Sequence, residues 1–403
     1  MEIKILKGTH QIGGCITVIQ TRTTKIIVDF GEDLTQEGKN TFEKKELLKE
    51  VSDADAVFIT HSHLDHAGLV NIIPKNIPIY MEKNTKTILD IGSDFRINEP
   101  LSREVDTFEL SKKTNPIFVG DLKITPHIVD HSSYNSCMFV IEGEGKKVLH
   151  TGDYRNHGRK GKLFSSTLDA IGKVDCLITE GTALSRHNNA HYKSEVEIEK
   201  EAKEIMSRYD QVFVLSSSTN LDRLVTFYKA KRNKKFVIDT FTAAITKAID
   251  FPVSPKNEDI YQWTPSIYFK IKTEKFKKKY MNSEGNYDFL PNYVMLIKQS
   301  MLIDLKKLKK AGLVQNACLI YSMWSGYIEK EKGLSSMLDE IEKIGIKIYE
   351  LHTSGHADLD AMKLMNSKLT PQKTVIIHTE NSENCQKIFD NVINIDDGEN
   401  ILL

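Results

Sequence analysis

Several features are scarce in this sequence of 403 residues, and each absence excludes a class of protein. No apolar stretch approaches the roughly 18 residues that a membrane-spanning helix needs, and no secretory signal precedes the first strand-like residues. The charges balance, with 55 Lys and Arg against 55 Asp and Glu, so no basic field covers the whole protein. Any contact with nucleic acid must therefore come from a local patch. We expect no contact with a membrane.

Cysteine is also sparse, and its spacing excludes two kinds of site. The five cysteines are scattered through apolar surroundings as Cys15, Cys137, Cys176, Cys318 and Cys385. Because no CxxC spacing occurs, neither a disulfide framework nor a cysteine zinc knuckle is expected. Reduced, buried thiols in a cytoplasmic protein fit the pattern better. Hydrophobic residues make up 40% of the chain, which is ordinary for a soluble protein with a sizeable core.

The order of motifs along the chain predicts an interrupted domain. Strand-like runs dominate the first part, and metal-ligand residue types cluster there. Near residue 190 the pattern changes: Ser194 and Glu197 form a capping-box sequence, and strands then alternate with helices as in a parallel sheet. Ligand-type residues return after residue 348. We therefore predict one domain over residues 1–190 and 349–403, with an α/β domain inserted over residues 191–348. Residues 251–300 have no clear periodicity.

A dense cluster of metal-binding side chains follows the apolar run Ala56–Thr60. The cluster is His61-Ser62-His63-Leu64-Asp65-His66. Three histidines and an aspartate at this spacing have no structural explanation without a metal, because each is costly to bury unpaired. Imidazole and carboxylate together suit zinc, and also manganese or iron.

Three further residues at strand ends supply what a dinuclear site would need. His131 and His378 each follow an apolar run, and Asp153 follows a strand in the sequence Thr151-Gly152-Asp153. A carboxylate has two oxygens and is able to bridge two ions. Taken singly, each histidine is more often a hydrogen-bonded core residue, and the aspartate a turn residue. Together with the dense cluster, the three complete a set of seven ligands.

These motifs, in this order, resemble those of the metallo-β-lactamase superfamily. Glu180 in Thr179-Glu180-Gly181, His356 in Ser354-Gly355-His356-Ala357, and His378 resemble the additional motifs of its β-CASP nucleases. The resemblance implies an α/β fold: an αββα metallo-β-lactamase sandwich with an inserted β-CASP α/β domain. The motifs resemble those of ribonuclease J, and we expect the extra C-terminal domain of that enzyme to be missing.

The same resemblance implies a role for each motif residue. His61, His63 and His131 would hold one zinc ion, Asp65, His66 and His378 the second, and Asp153 would bridge the two, with manganese as an alternative metal. Catalysis would involve Asp65, His356 and Glu180. A histidinium paired with a carboxylate is able to protonate a leaving oxygen, so His356 is the expected general acid, oriented by Glu180. A structural ion pair between them is the alternative.

The expected activity is hydrolysis of RNA phosphodiester bonds, as a 5′-end-sensitive exonuclease, an endonuclease, or both. His378 is typical of the RNA-processing branch, whereas DNA-processing members carry valine there. By the resemblance, the substrate phosphate would contact His352, Ser354, Gly355 and Ala357. The expected substrate is single-stranded RNA, and a homodimer is one assembly that we consider. The alternatives are a DNA nuclease, a small-ester or thioester hydrolase of the same superfamily, and a non-catalytic RNA-binding scaffold.

Three other features have two interpretations each. Trp324 follows an apolar strand and is either a core residue or a platform for a nucleobase. Arg155 lies just after Asp153 and is either a phosphate contact or a surface charge. The segment Ser218–Arg223 resembles a ribonuclease J segment less closely, and it is equally compatible with a capped helix start.

Overall fold

The computed structural model describes residues 1–33, 44–97, 101, 103–111, 114–185, 191–281, 288–380 and 383–403. They divide into two compact units. The first comprises residues 1–86, 101–192 and 355–403, and the second comprises residues 87–100 and 193–354. Residue 190, where we predict the first domain boundary, lies outside the described residues. The predicted boundaries at 190 and 348 stay predictions.

The described residues contain nineteen strands. In chain order they are β1 Glu2–Lys7, β2 Ile16–Gln20, β3 Lys25–Val28, β4 Ala56–Ile59, β5 Ile79–Glu82, β6 Asp106–Phe108, β7 Ile117–Val119, β8 Leu122–Ile128, β9 Cys137–Gly143, β10 Lys146–His150, β11 Cys176–Glu180, β12 Gln211–Leu215, β13 Lys235–Asp239, β14 Ile260–Trp263, β15 Tyr293–Ile297, β16 Ala317–Tyr321, β17 Lys347–Glu350, β18 Lys373–Ile377 and β19 Asn400–Leu402.

Thirteen α-helices occur in the same described residues. In chain order they are α1 Lys44–Val51, α2 Leu64–Ala67, α3 Lys83–Ile97, α4 Lys162–Ile171, α5 Glu195–Met206, α6 Leu221–Ala230, α7 Thr240–Ala248, α8 Tyr268–Ile271, α9 Glu274–Tyr280, α10 Leu302–Lys310, α11 Gly326–Lys330, α12 Lys332–Lys343 and α13 Leu359–Leu369. No helix among these residues is long and apolar enough to cross a bilayer.

Two sheets build the first unit. One has the strand order β19-β1-β2-β3-β4-β5-β6, and the other has the order β18-β11-β10-β9-β8-β7. Side chains from both sheets, such as Phe58 and Phe139, share one buried apolar cluster, so the sheets pack face to face. A second cluster contains Phe164 of α4 and Met362 of α13 together with Leu177 of β11. These helices therefore cover the other face of the second sheet, and the predicted sandwich is confirmed.

His150, at the end of β10, is a buried neutral imidazole within this core. Its Nδ1 accepts a hydrogen bond from the Gly152 N–H at 3.2 Å, so Nε2 carries the proton and lies 3.2 Å from Thr17 Oγ1. Burial lowers the pKa of His150 to about 4. Between pH 6.5 and 4 the unfolded chain therefore binds a proton that the folded chain does not.

We expect His150 to make the protein less stable in mild acid. A pKa of about 4 against an unfolded value near 6.5 corresponds to roughly 3 kcal/mol, lost as the pH falls through that window. Urea unfolding of metal-free protein at several pH values measures the slope. His150→Asn should flatten it, whereas the control His10→Asn, at an exposed site, should not. Equal slopes for wild type and His150→Asn would contradict the assignment.

A six-stranded sheet forms the second unit, in the order β14-β13-β15-β12-β16-β17 with every pair parallel. The central strands β12, β15 and β16 are buried along their whole length, which explains their continuous apolar sequences. The predicted capping box is present at Ser194, and Asn220 caps α6 by accepting from the Arg223 N–H. The segment Ser218–Arg223 is thus a capped helix start.

A fully buried ion pair joins α5 to α6 in this unit. The Arg223 guanidinium donates to both Glu195 carboxylate oxygens, with distances of 3.0 to 3.2 Å, and neither side chain is exposed. Arg223 also donates to the Thr353 carbonyl at 3.1 Å and to Ser322. Because both charges are fully buried and pair with each other, removing one partner leaves a buried charge uncompensated.

Glu195→Gln is therefore expected to destabilise the protein by about 3–5 kcal/mol, measured by urea unfolding. The double variant Glu195→Leu/Arg223→Met removes both charges and should recover much of that loss, because no unpaired charge remains. The exposed pair Lys193 and Glu201 provides the control: Glu201→Gln should cost less than about 1 kcal/mol. A loss below 1 kcal/mol for Glu195→Gln would contradict this account.

Candidate metal centre

The predicted ligands lie where strands of the first unit end. His61 follows β4, Asp153 follows β10 and His378 follows β18. Gly152 has a φ of +52°, and a side chain there would approach Thr60 to 2.8 Å, so only glycine allows the close turn that presents Asp153. These strand ends bring together residues that are more than 300 positions apart in sequence.

Asp153 lies at the centre of the cluster. Its Oδ2 is 3.3 Å from His66 Nε2, 3.7 Å from His131 Nε2, and 3.8 Å from both His61 Nε2 and His378 Nε2. The seven predicted ligands form two overlapping sets that share Asp153, with ligand atoms within 4.8 Å of one another in each set. The first set is His61, His63, His131 and Asp153, and the second is Asp65, His66, Asp153 and His378.

The outward-facing ring nitrogens in the cluster are held by hydrogen bonds. His66 Nδ1 bonds Asp29 Oδ2 at 2.7 Å, and His378 Nδ1 bonds Thr182 Oγ1 at 2.8 Å. In the same way His61 Nδ1 lies 3.0 Å from Thr60 Oγ1, and His131 Nδ1 lies 2.6 Å from the Gly355 carbonyl oxygen. Such partners fix which nitrogen faces inward, as around bound metals.

Buried polar atoms without hydrogen-bond partners face the centre. Among the described residues, His61 Nε2, His66 Nε2 and both Asp153 carboxylate oxygens have none. Buried acceptor atoms without a hydrogen bond cost folding free energy unless a cation binds to them. The residues therefore fit divalent metal ions, and the buried His and Asp cluster matches that requirement.

The charges in the cluster are strongly coupled. Burial alone would raise the pKa of Asp153, but the imidazoles of His378 and His66 hold it well below its usual value. Burial lowers the pKa of His63 to about 4, so this ring is neutral near pH 7 and has a lone pair to donate. Deprotonated carboxylates and neutral imidazoles are the forms that bind metals.

His356 and Glu180 form a pair beside this cluster. The Nδ1 of His356 is 3.3 Å from Glu180 Oε2 and 3.6 Å from Asp153 Oδ2. Glu180 also accepts from the Ala357 N–H at 3.0 Å and the Thr182 N–H at 3.2 Å. Although burial would raise the pKa of Glu180, the charge and hydrogen bond of His356 keep it below the usual value. Glu180 is therefore a fixed anion beside a half-buried imidazole.

The four predicted phosphate contacts fall in different surroundings. His352 is half-buried and Ser354 is buried in the second unit, while Gly355 and Ala357 belong to the first. Ala357 is fully buried and its N–H donates to Glu180, so in this structure that N–H does not face a substrate phosphate.

Arg155 also differs from both of its predicted roles. Its side chain is fully buried, and its Nε lies 3.4 Å from Asp130 Oδ1. Gly158 packs so closely on the guanidinium that a side chain there would approach it to 2.5 Å. Arg155 is therefore a structural cation of the first unit rather than an exposed charge.

Three residues at the site were not found from the sequence. Asp29 orients His66 and also accepts from the Thr60 N–H at 2.8 Å; its φ of +61° is a conformation that few non-glycine residues adopt. Thr182 bonds His378 and lies 3.3 Å from His356 Nδ1. The buried thiol of Cys15 lies within 4.8 Å of ligand atoms of His66 and His378.

Comparison with known proteins gives consistent matches. Residues 24–211 match the family model described as Beta-lactamase superfamily domain. The chain is 28% identical to Ribonuclease J of Helicobacter pylori over 160 residues, which are 38% of this chain and 23% of that protein. It is 28% identical to Endoribonuclease ysh-1 of Neurospora crassa over 197 residues, 44% of this chain and 23% of that protein.

Two further comparisons extend these matches. Transcription termination factor FttA of Thermococcus kodakarensis is 26% identical over 208 residues, 45% of this chain and 32% of that protein. The matches thus span only about a quarter to a third of the curated relatives. A crystal structure of a protein of unknown function from Enterococcus faecalis V583 superposes with a TM-score of 0.75 at 19% identity, covering 100% of this chain and 99% of that one. At this identity the likeness concerns the fold alone.

Proposed function

We propose that this chain, which belongs to the metallo-β-lactamase superfamily, is a metal-dependent hydrolase that cleaves RNA phosphodiester bonds. One observation carries the proposal: a buried set of imidazoles and carboxylates converges on Asp153 with orphaned lone pairs, beside the His356 and Glu180 pair. The set supports metal binding, and the pair supports proton transfer next to it.

In this proposal His61, His63 and His131 would hold one ion, Asp65, His66 and His378 would hold the other, and Asp153 belongs to both ligand sets. We assign zinc, because imidazole and carboxylate ligands are common for zinc in hydrolytic sites, with manganese as the alternative. When bound, the ions supply Lewis-acid stabilisation of the phosphate and a nucleophilic water at neutral pH.

The remaining step is performed by side chains of this protein. A departing 3′-oxygen needs a proton, and the protonated imidazole of His356 donates it. The Glu180 carboxylate, 3.3 Å from His356 Nδ1, pairs with the ring and fixes its orientation. Glu180 is itself held by the backbone N–H groups of Ala357 and Thr182, so the pair is positioned before substrate binds.

The substrate assignment to RNA is supported by two relatives that are named as a ribonuclease and an endoribonuclease. We propose single-stranded RNA, with His352, Ser354 and Gly355 at the substrate phosphate. Five buried free cysteines are compatible with a reducing compartment, and we place the protein in the cytoplasm. A homodimer is the proposed assembly, and light scattering at several protein concentrations tests it.

A single substrate panel tests the activity. Zinc-loaded and manganese-loaded protein is incubated with RNA carrying a 5′-monophosphate, 5′-triphosphate or 5′-hydroxyl, with matched single-stranded DNA, and with small esters and thioesters. Metal-dependent cleavage of RNA in preference to the others is the expected result. Faster turnover of DNA, or of a small ester or thioester, would replace the proposal with that alternative, and no cleavage of any substrate would overturn it.

A further inference from the structure

The second unit contains a cavity at one edge of its parallel sheet. Its volume is about 360 Å³, and it is lined by Lys193, Trp324, Ser325, Glu350, Leu351 and His352. Neighbouring parallel strands β16 and β17 end at Tyr321 and Glu350, and all the lining residues except Lys193 lie at or just after these carboxyl ends. Open α/β sheets bind ligands at this edge.

Trp324 provides a fixed aromatic surface in this cavity. Its carbonyl oxygen accepts from Tyr321 Oη at 2.9 Å and from the Tyr327 N–H at 3.1 Å, which fixes the backbone. A side chain at Gly326 would approach the indole ring to 2.4 Å, so glycine lets the backbone pack against the ring. The Lys330 ammonium lies 5.3 Å from the ring centroid, as a cation over an aromatic face.

A hydrogen-bond acceptor and a hydrogen-bond donor line the same cavity. Glu350 is exposed and offers carboxylate oxygens, which only accept hydrogen bonds. His352 Nδ1 lies 3.5 Å from Arg223 Nη1, which can only donate, so in the neutral ring the proton belongs on Nε2. Arg223 is itself fixed by Glu195, and the cavity therefore combines an aromatic surface, an acceptor and a donor.

We propose that this cavity binds one nucleobase, stacked on Trp324 with its amino group donating to Glu350. Stacking on an aromatic side chain contributes about 1–3 kcal/mol per base and is greatest for purines, which have the larger ring area. Guanine presents two adjacent donors, N1–H and the 2-amino group, to one carboxylate, whereas uracil presents only N3–H. The cavity should therefore prefer guanine. RNA as the source of the base rests on the proposed function.

The sequence contains only two tryptophans, Trp263 and Trp324, which makes a direct measurement possible. In the Trp263→Phe protein, tryptophan fluorescence reports on Trp324 alone. Metal-free protein is titrated with GMP, IMP, UMP and ribose 5-phosphate. We expect saturable quenching by GMP, with IMP, which lacks only the 2-amino group, binding about tenfold more weakly because a hydrogen bond to a charged group is lost. UMP should bind more weakly than GMP, and ribose 5-phosphate should not quench.

Two variants separate the stack from the hydrogen bond. Glu350→Gln should reduce the preference for GMP over IMP to less than about threefold, because an amide offers one acceptor where the carboxylate offers two. Gly326→Ala should weaken all nucleotides together, since it moves the indole ring. Urea unfolding of both variants checks that they remain folded.

Clear outcomes would overturn the inference. They are the absence of saturable quenching by GMP, equal affinity for UMP and GMP, or a GMP preference that survives Glu350→Gln. Because the titration uses nucleotides and metal-free protein, its result is independent of catalysis. Nucleotide binding without RNA cleavage would refute the proposed function alone, and RNA cleavage without nucleotide binding would refute this inference alone.

Discussion

Asp153→Asn is expected to reduce RNA cleavage by on the order of 10³-fold or more. The carboxylate lies within 3.8 Å of five imidazole nitrogens, four of them on predicted metal ligands, and it belongs to both ligand sets. Its loss therefore affects both proposed metal positions together. The amide has nearly the same size but no charge, and loss of several kcal/mol of metal-dependent transition-state stabilisation corresponds to such a factor.

Metal analysis makes this prediction independent of activity. Wild-type protein should contain close to two ions per chain after loading and desalting, and Asp153→Asn should retain one or fewer. Asp239→Asn is the matched control, because Asp239 is a buried carboxylate that caps α7 in the other unit. Full metal content in Asp153→Asn, or equal losses in both variants, would show that Asp153 does not hold the ions.

The parts of the site that could be predicted from sequence are those set by local pattern. Four of the predicted ligands are close in sequence: His61, His63, Asp65 and His66. The apolar strand before them places them together at its end. Capping chemistry is equally local, which is why the start of α5 at Ser194 was predicted.

Contacts set by strand pairing could not be read in the same way. Asp29 reaches His66 only because β3 pairs with β4, and no spacing rule links an aspartate to a histidine 37 positions later. Thr182 reaches His378 because β11 pairs with β18. Threonine and aspartate are common in turns, so their sequence positions carry no signal of this role.

Burial is the other quantity that local pattern does not supply. Arg155 follows Asp153 on a polar segment, which indicates exposure, yet Asp130 pairs with it inside the unit. The N–H of Ala357 was expected beside a phosphate, but Glu180 occupies it. In both cases a carboxylate distant in sequence pairs with a polar group that would otherwise be expected to contact solvent or a ligand.

His356→Ala is expected to lower the rate of RNA cleavage by about 10²- to 10⁴-fold, the usual contribution of a general acid. Glu180→Gln should cost less, roughly 10- to 100-fold, because it removes a partner that orients the acid and leaves the acid itself in place. A rate in Glu180→Gln equal to that of the wild-type protein would contradict the pairing.

Two measurements decide whether His356 is the acid or a metal ligand, since its ring lies 3.6 Å from Asp153. RNA with a 3′-bridging sulfur releases a thiolate, which needs no proton, so His356→Ala should cleave it nearly as fast as wild type. A metal ligand would instead be required for either leaving group. Metal content should stay at the wild-type value in His356→Ala. Loss of an ion in this variant would show that His356 is a metal ligand. If His356→Ala slowed cleavage equally for oxygen and sulfur leaving groups, His356 would not be the proton donor.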